Sequence, residues 1–350
     1  MTSTTPTKKV PYVRLGNSGL KVSRIILGCM QYGPKTWQDW CLGQEEANAH
    51  IKAAYEAGIQ TFDTSDVYSN GESEVILGNA IKELNLPREE IVVMTKLYSV
   101  VTRDGANALA TNIGMDPDVY GYVNQHGLSR KHIFDAVKAS LKRLQLDYID
   151  VYQCHRYDYN TPIEETMHAL HDIVKAGYVR YIGISSCWAY QFHAMQNYAI
   201  ANNLTPFISM QNHYNLVYRE EEREMMPTLK MFGVGSIPWS PLARGLLCRP
   251  LAQKTTRGET DWAIKAYHAG PGTDEIINRT EEIAKKKGVN MAQVGIAWLL
   301  SKEGVTAPIV GTTSLKNLED IIAGADVKLT EDEIKYLEEA YQPRSAFGHI

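Results

Sequence analysis

Apolar and polar positions alternate in two rhythms along this 350-residue chain. Short apolar runs stand at RIILG (24–28), IQTFDT (59–64), IVVMTK (91–96), YIDVYQCH (148–155), VRYIGISS (179–186), FISMQNH (207–213), GVGSIPWS (233–240) and TAPIVGT (306–312). Segments with a helical period lie between or after them, at 44–57, 73–85, 129–144, 163–176, 188–202, 219–231, 290–302 and 314–323. Helix signals reinforce several of these: Ser129 and Thr161-Pro162 open two, and Gly58 and Gly177 close two. Alternation of this kind, after a hairpin at 12–24, predicts parallel β/α units in an α/β protein. Eight such units predict a (β/α)8 TIM barrel with the N-terminal hairpin at its base. An open doubly wound sheet is the other arrangement the pattern allows.

Three long connections, 97–128, 241–275 and the tail after 324, leave strand C-terminal ends or the chain end, where barrel enzymes carry their substrate loops. No repeat or linker divides the chain, so residues 1–11 are expected to be a disordered tail and 12–350 one domain. No G-x-G-x-x-G follows a strand; Gly233 and Gly235 come nearest, with Pro238 in place of the third glycine. A dinucleotide, if bound, is not held by a Rossmann turn.

Composition narrows the partners. The formal charge is −4, and apart from Lys285, Lys286 and Lys287 no basic run stands out, which argues against nucleic acid or a polybasic membrane surface. A small molecule is the expected partner, for a monomer or small homo-oligomer. The five cysteines are dispersed and never in C-x-x-C, so neither a disulfide framework nor a metal site is expected. The polar start MTSTTPTKKV lacks the apolar core of a signal peptide, and a cytoplasmic location is expected.

Strand parity then singles out chemistry. Successive side chains alternate between faces, so Ile59, Thr61 and Asp63 share one face, as do Val92, Met94 and Lys96, and Ile149, Val151, Gln153 and His155. Three neighbouring strands thus end on inward ionisable groups, and a buried charge is costly unless paired. Tyr68 follows on the next loop. A tyrosine ordinarily titrates near pH 10, and an adjacent ammonium favours its phenolate; a carboxylate holds that ammonium in place, and a histidine orients a carbonyl. Such a set protonates a carbonyl oxygen while a hydride reaches the carbon. Each member alone has a plainer reading: Asp63 as a turn cap, His155 as a structural group, Lys96 snorkelling to solvent, Tyr68 as packing.

FDTSDVYSNGESE, MTKLY, DYIDVYQCHRYD, VRYIGISS, SMQNHYNL, WSPLARG and PIVGTTSLKNLEDII follow one another in an order that resembles the aldo-keto reductase superfamily over roughly residues 12–325. The last motif and the 97–128 insertion resemble its aryl-alcohol dehydrogenase-like and versiconal hemiacetal acetate reductase-like subgroup. The resemblance implies that Tyr68 is the proton donor, that Asp63 and Lys96 tune it, and that His155 orients the carbonyl. It implies a nicotinamide cofactor met by Ser185, Ser186, Gln211 and Trp239, then by Ser240, Leu242, Arg244 and Gly245, then by Gly311, Thr312, Thr313, Ser314, Lys316 and Asn317. Ser186 replaces the usual asparagine, and no arginine stands in the 312–317 loop; NADP(H) is nevertheless expected over NAD(H). Tyr32, Trp37, Tyr98, His126 and Trp188 are the expected substrate pocket. The implied activity is NADPH-dependent reduction of an aromatic or polyketide-type aldehyde or ketone. A cofactor-binding redox-sensing subunit and a redox-neutral cyclase or isomerase remain open.

Overall fold

A computed structural model describes residues 10–103, 115–253, 264, 267–268, 270–346 and 348–349. Strands β3 (Ile26–Gly28), β4 (Thr61–Asp63), β5 (Val92–Leu97), β6 (Ile149–Cys154), β7 (Val179–Ser185), β8 (Phe207–Gln211), β9 (Gly235–Ser236) and β10 (Ile309–Val310) pair in parallel, in the order β10-β3-β4-β5-β6-β7-β8-β9. Thr306 N–H donates to Ser236 O at 2.7 Å and Ile309 N–H to Pro238 O at 2.9 Å, joining β9 back to β10 and closing the barrel. Each expected strand is present, most of them shorter at their ends.

Two apolar shells follow from the parity. Ile26, Val92, Met94, Val151, Ile237, Ala307 and Ile309 fill the interior, and Leu15 and Val22 from the hairpin β1 (Tyr12–Arg14) and β2 (Lys21–Ser23) plug it from below. Leu27, Phe62, Val93 and Tyr152 point the other way, into the layer shared with the helices. The plug seats by close backbone approach: Gly16 has φ +57°, and a Cβ there would lie 2.4 Å from Gly233 O. Only glycine fits this contact. Most of the expected tail, residues 1–9, lies outside the described residues; Val10 is buried, and its N–H donates to Ala57 O at 3.0 Å.

The surrounding helices are α1 (Gln44–Glu56), α2 (Glu72–Glu83), α3 (Arg130–Leu144), α4 (Ile163–Lys175), α5 (Ala189–Ala201), α6 (Met225–Phe232), α7 (Thr273–Lys287), α8 (Met291–Ser301), α9 (Leu315–Ala323) and α10 (Glu331–Glu338). Ser129 caps α3 as expected, accepting from His132 N–H. Three readings need correction. The helix expected at 219–231 is a 3-10 turn, Glu220–Glu222, followed by α6. Pro227 explains the break: it fits a first turn, but deeper in a helix it would clash with the carbonyl four residues back. Helix α7 begins inside the stretch read as a long connection; its buried face, Ile276, Ile277, Thr280, Ile283 and Ala284, was hidden among charges. Helix α10, in the tail read as a connection, carries a capping box of Thr330 and Glu333.

Among the described residues, no helix is long and apolar enough to cross a membrane. All five cysteines are free.

Candidate active site

The C-terminal ends of β4, β5, β6 and β8 bring one ionic knot into the barrel mouth. Lys96 Nζ donates to Asp63 Oδ1 at 2.6 Å, to Thr64 O at 2.7 Å and to Tyr68 Oη at 3.3 Å. Asp63 Oδ2 accepts from Gln153 at 3.0 Å and from Gln211 at 2.9 Å. Every polar atom of the pair is thereby occupied, which is what allows two charges with almost no exposed surface to persist. Burial pulls the Lys96 ammonium down, but Asp63 and Tyr68 outweigh it and hold its pKa above the ordinary value. The lysine is a fixed cation beside a phenol.

Tyr68 stands on a 3-10 turn (Tyr68–Gly71) in which Ser69 and Asn70 both take left-handed backbone. That conformation is uncommon outside glycine, and here neighbours over-determine it. Asn70 Oδ1 accepts from Thr102 N–H at 2.7 Å, and Ser69 Oγ donates to Tyr32 O at 3.0 Å. His155 meets Tyr68 edge to face, with ring centroids 5.7 Å apart. Burial, then the Arg156 and Lys96 cations, push its pKa well below the usual imidazole value, so His155 is neutral. Its Nδ1 is 3.2 Å from Ser65 Oγ.

Asp63, Tyr68 and His155 open on a cleft of about 600 Å³, with Ser185, Gln211, Trp239, Ser240, Leu242, Arg244, Gly245, Gly311, Thr312, Thr313 and Asn317 along its walls. Lys96 lies beneath, reached through Tyr68. Trp239 is braced from behind by a parallel stack: its ring lies 4.1 Å from that of His213, which lies 4.1 Å from that of Tyr218. Ser186 Oγ accepts from the indole N–H at 2.9 Å, so the residue that replaces the usual asparagine holds the tryptophan in place. Ser185 Oγ donates to Gln211 O at 2.7 Å.

The other end of the cleft suits phosphates. Ser240, Ala243, Arg244 and Gly245 all have positive φ, and the Ala243 and Gly245 amides close the loop on itself by donating to Ser240 O and Leu242 O, each at 2.9 Å. Opposite stands the N-terminus of α9, capped by Ser314, whose Oγ accepts from Asn317 N–H. Arg244 and Arg249 add guanidinium groups to the lining. An aromatic wall at one end with cations and helix amides at the other fits an extended dinucleotide.

Several expected residues lie elsewhere. Ser186, Ser314 and Lys316 are not on the cleft wall, and neither are the five expected substrate residues. Tyr32 is wholly buried, its ring edge to face with His50 and its carbonyl accepting from Ser69 Oγ. Trp37 packs edge to face on Trp40, and Tyr98 is half-buried against the core. His126 bonds Asp118 at 3.0 Å, and Trp188 stacks on His349 at 4.6 Å. Met30, Gln31, Trp40, Arg156 and Arg249 do line the cleft and were missed; only Arg156 had a signal, its place directly after His155.

Comparison with known proteins agrees with this geometry. The sequence profile described as "Aldo/keto reductase family" matches residues 24–342. The chain is 49% identical over 340 residues to versiconal hemiacetal acetate reductase of Aspergillus parasiticus, covering 95% of this chain and 98% of that protein. It is 49% identical over 349 residues to a putative aryl-alcohol dehydrogenase of Schizosaccharomyces pombe, covering 97% of this chain and 98% of the relative. A putative aryl-alcohol dehydrogenase of Saccharomyces cerevisiae is 47% identical over 341 residues, covering 96% and 98%. With its barrel, ionic knot and near full-length matches, the chain belongs to the aldo/keto reductase family of oxidoreductases, which work with a nicotinamide cofactor.

Proposed function

We propose that this protein reduces an aldehyde or ketone of aromatic or polyketide type to the alcohol, with NADPH as the reductant and Tyr68 as the proton donor. The observation that carries the reading is the Lys96 ammonium, bonded at once to Asp63 and to Tyr68 Oη at the cleft floor. When bound, the cofactor supplies a hydride. Tyr68 gives its proton to the carbonyl oxygen, and the Lys96 cation stabilises the negative charge left on the phenol. His155, neutral and at right angles to Tyr68, orients the same oxygen. Trp239 offers a flat wall to a nicotinamide, and Arg244 on the following loop offers a cation to the pyrophosphate.

NADPH rather than NADH is favoured by Arg249. It lines the cleft together with Asn317 and offers the guanidinium that the 312–317 loop lacks. Arginine pairs with a phosphate through two parallel hydrogen bonds, which suits a 2′-phosphate. The versiconal hemiacetal acetate reductase and aryl-alcohol dehydrogenase names of the relatives motivate the substrate type. A cytoplasmic location is the corresponding expectation.

The test is initial rates of NADPH and NADH oxidation with aromatic aldehydes, quinones and aliphatic ketones, for the native chain and Tyr68→Phe. Loss of a positioned acid costs about 10²- to 10⁴-fold in turnover, with cofactor binding kept. Undiminished turnover in Tyr68→Phe sinks the assignment. Cofactor binding with no oxidation across the panel points instead to a sensing subunit, and product formation without net oxidation to a cyclase or isomerase.

A further inference from the structure

One charged group in the cleft enters this chemistry only by helping to keep His155 neutral. Arg156 directly follows His155 and lines the same wall as Tyr68 and His155. Guanidinium carries five N–H donors. The hydrogen bond that engages this one runs from Nη1 to His155 O at 2.5 Å, a neutral acceptor.

Other arginines drawn into this protein find a carboxylate or several acceptors. Arg88 pairs with Asp150 and Arg143 with Glu74, each at 2.6 Å, and Arg219 pairs with Glu222 at 2.8 Å. Arg24 donates to three backbone carbonyls at 2.7–3.1 Å. Arg156 has no ion pair among the described residues. The nearest carboxylate in sequence, Asp158, is spent on Leu128 N–H at 2.7 Å, Asn160 N–H at 2.9 Å and Thr161 Oγ at 2.7 Å. The titratable groups that feel Arg156 are Tyr68, Tyr98, Cys187 and the neutral His155, a set without a fixed negative charge. Burial pushes the Cys187 thiol well above its ordinary value, so it stays neutral.

Burial also lowers the Arg156 pKa, yet guanidinium keeps its charge in proteins. A half-buried cation without a counter-charge is still costly, and an incoming anion that pairs with it recovers that cost. We propose that Arg156 is the substrate-recognition residue of this cleft, and that the carbonyl substrate bears an acidic oxygen, a carboxylate or an ionisable aromatic hydroxyl, that pairs with it. The proposal rests on the reductase reading for the word substrate, while the anion site itself does not.

Benzoate and benzamide are the probes, titrated calorimetrically into the full-length protein saturated with NADP⁺. Native protein prefers benzoate, and Arg156→Gln loses that preference by about 10- to 100-fold, as expected for a charge-assisted pair; Arg156→Lys keeps part of it. A second arm compares kcat/KM for a formylbenzoate with its methyl ester, and for a hydroxybenzaldehyde with its methyl ether. The acid-to-neutral ratio collapses in Arg156→Gln, chiefly through KM, and the pair that collapses further names the oxygen. No benzoate preference in the native protein, or an equal preference in Arg156→Gln, overturns the proposal. If Arg156→Gln does not fold, Arg156→Lys decides by the same ratio. Benzoate binding that depends on Arg156 without turnover of any aldehyde leaves the anion site standing and removes the reductase reading instead.

Discussion

Adjacent residues of β5 serve two opposite clusters. Lys96 points into the barrel mouth, where its charge meets Asp63, while Thr95 points outward and donates to Glu74 Oε1 at 2.5 Å. Glu74 in turn accepts from Arg143 Nε at 2.6 Å. Both clusters are buried, but their charges differ. The front cluster balances one cation against one anion. The back cluster sets Arg143 against two carboxylates, Glu74 and Asp66, and one of them must give way. Burial first, then Glu74, push the Asp66 pKa up to about 8, so Asp66 is neutral near pH 7. A balanced knot that touches a cleft is equipped for chemistry; an unbalanced one away from the cleft holds the scaffold behind it.

The sharpest way to break this contrast is to remove each cation in turn. Lys96→Met strands Asp63 and deprives Tyr68 of its partner, so turnover is lost and stability falls by about 3–5 kcal/mol. Arg143→Met strands Glu74 at a comparable cost in stability. Its effect on kcat is nevertheless expected to be less than about tenfold, because Arg143 touches neither Tyr68 nor His155 and reaches them only through Glu74 and Asp66 and through the turn at Gly71. That contact is close: a Cβ on Gly71 would come within 2.9 Å of Arg143 Cδ. Urea unfolding with initial rates on the folded fraction checks both. A turnover loss in Arg143→Met as deep as in Lys96→Met would merge the two clusters into one functional unit.

The two clusters also differ in how legible they were. Parity alone placed Asp63, Lys96 and His155 on one inward face, because a strand end leaves a side chain only two directions. The back cluster is not legible: by local pattern Asp66 is an ordinary loop residue and Glu74 a carboxylate suited to the first turn of a helix. Glu74 does lie in the first turn of α2, yet it has no exposed surface. Its oxygens are held by Thr95 and by Arg143, which arrives from 69 residues away, and no local pattern announces such a contact. The same limit explains the pocket. Most residues expected to meet a cofactor stand at or just after strand ends and do line the cleft, whereas the expected substrate aromatics depend on loop paths and none of them lines it; Tyr32 is wholly buried. Loop conformation is set by long-range packing rather than by period.

The next prediction separates the clusters by pH. Asp66 titrates near 8 in the folded chain and at an ordinary 3.8 when unfolded. Between those values the native state holds a proton that the unfolded state has released, so stability falls as pH rises from about 4 to 8 and is flat above. The full shift is worth on the order of several kcal/mol. Lys96 behaves oppositely in range: its pKa is raised above 10.5, so the stability it contributes is intact below that pH and is lost only beyond it. Asp66→Asn should remove the slope between pH 4 and 8 and stabilise the protein at pH 8. A slope unchanged in Asp66→Asn would assign it to another group.

The smallest expected effect lies where the clusters touch. Ser65 Oγ is 3.2 Å from His155 Nδ1 and 3.2 Å from Asp66 Oδ1, and a hydroxyl has one proton to give. While Asp66 is protonated it can donate to Ser65, leaving Ser65 to donate to Nδ1 and fixing the imidazole proton on Nε2, free for a carbonyl. Once Asp66 ionises, Ser65 turns its proton to the carboxylate, Nδ1–H donates to Ser65, and Nε2 loses its donor. The groups around Asp66 are Glu74 from α2, Arg143 from α3 and Tyr152 from β6. Burial holds the Tyr152 phenol well above its ordinary pKa, so it stays neutral through this range. The rate profile should therefore show no imidazolium limb near pH 6.5, since His155 is already neutral there, and a decline of about tenfold as pH passes 8. A side-chain amide donates at any pH, so Asp66→Asn should keep the rate at pH 7 within a few-fold and flatten the decline. A decline that persists unchanged in Asp66→Asn would place its origin in Tyr68 and Lys96, confining pH control to the front cluster.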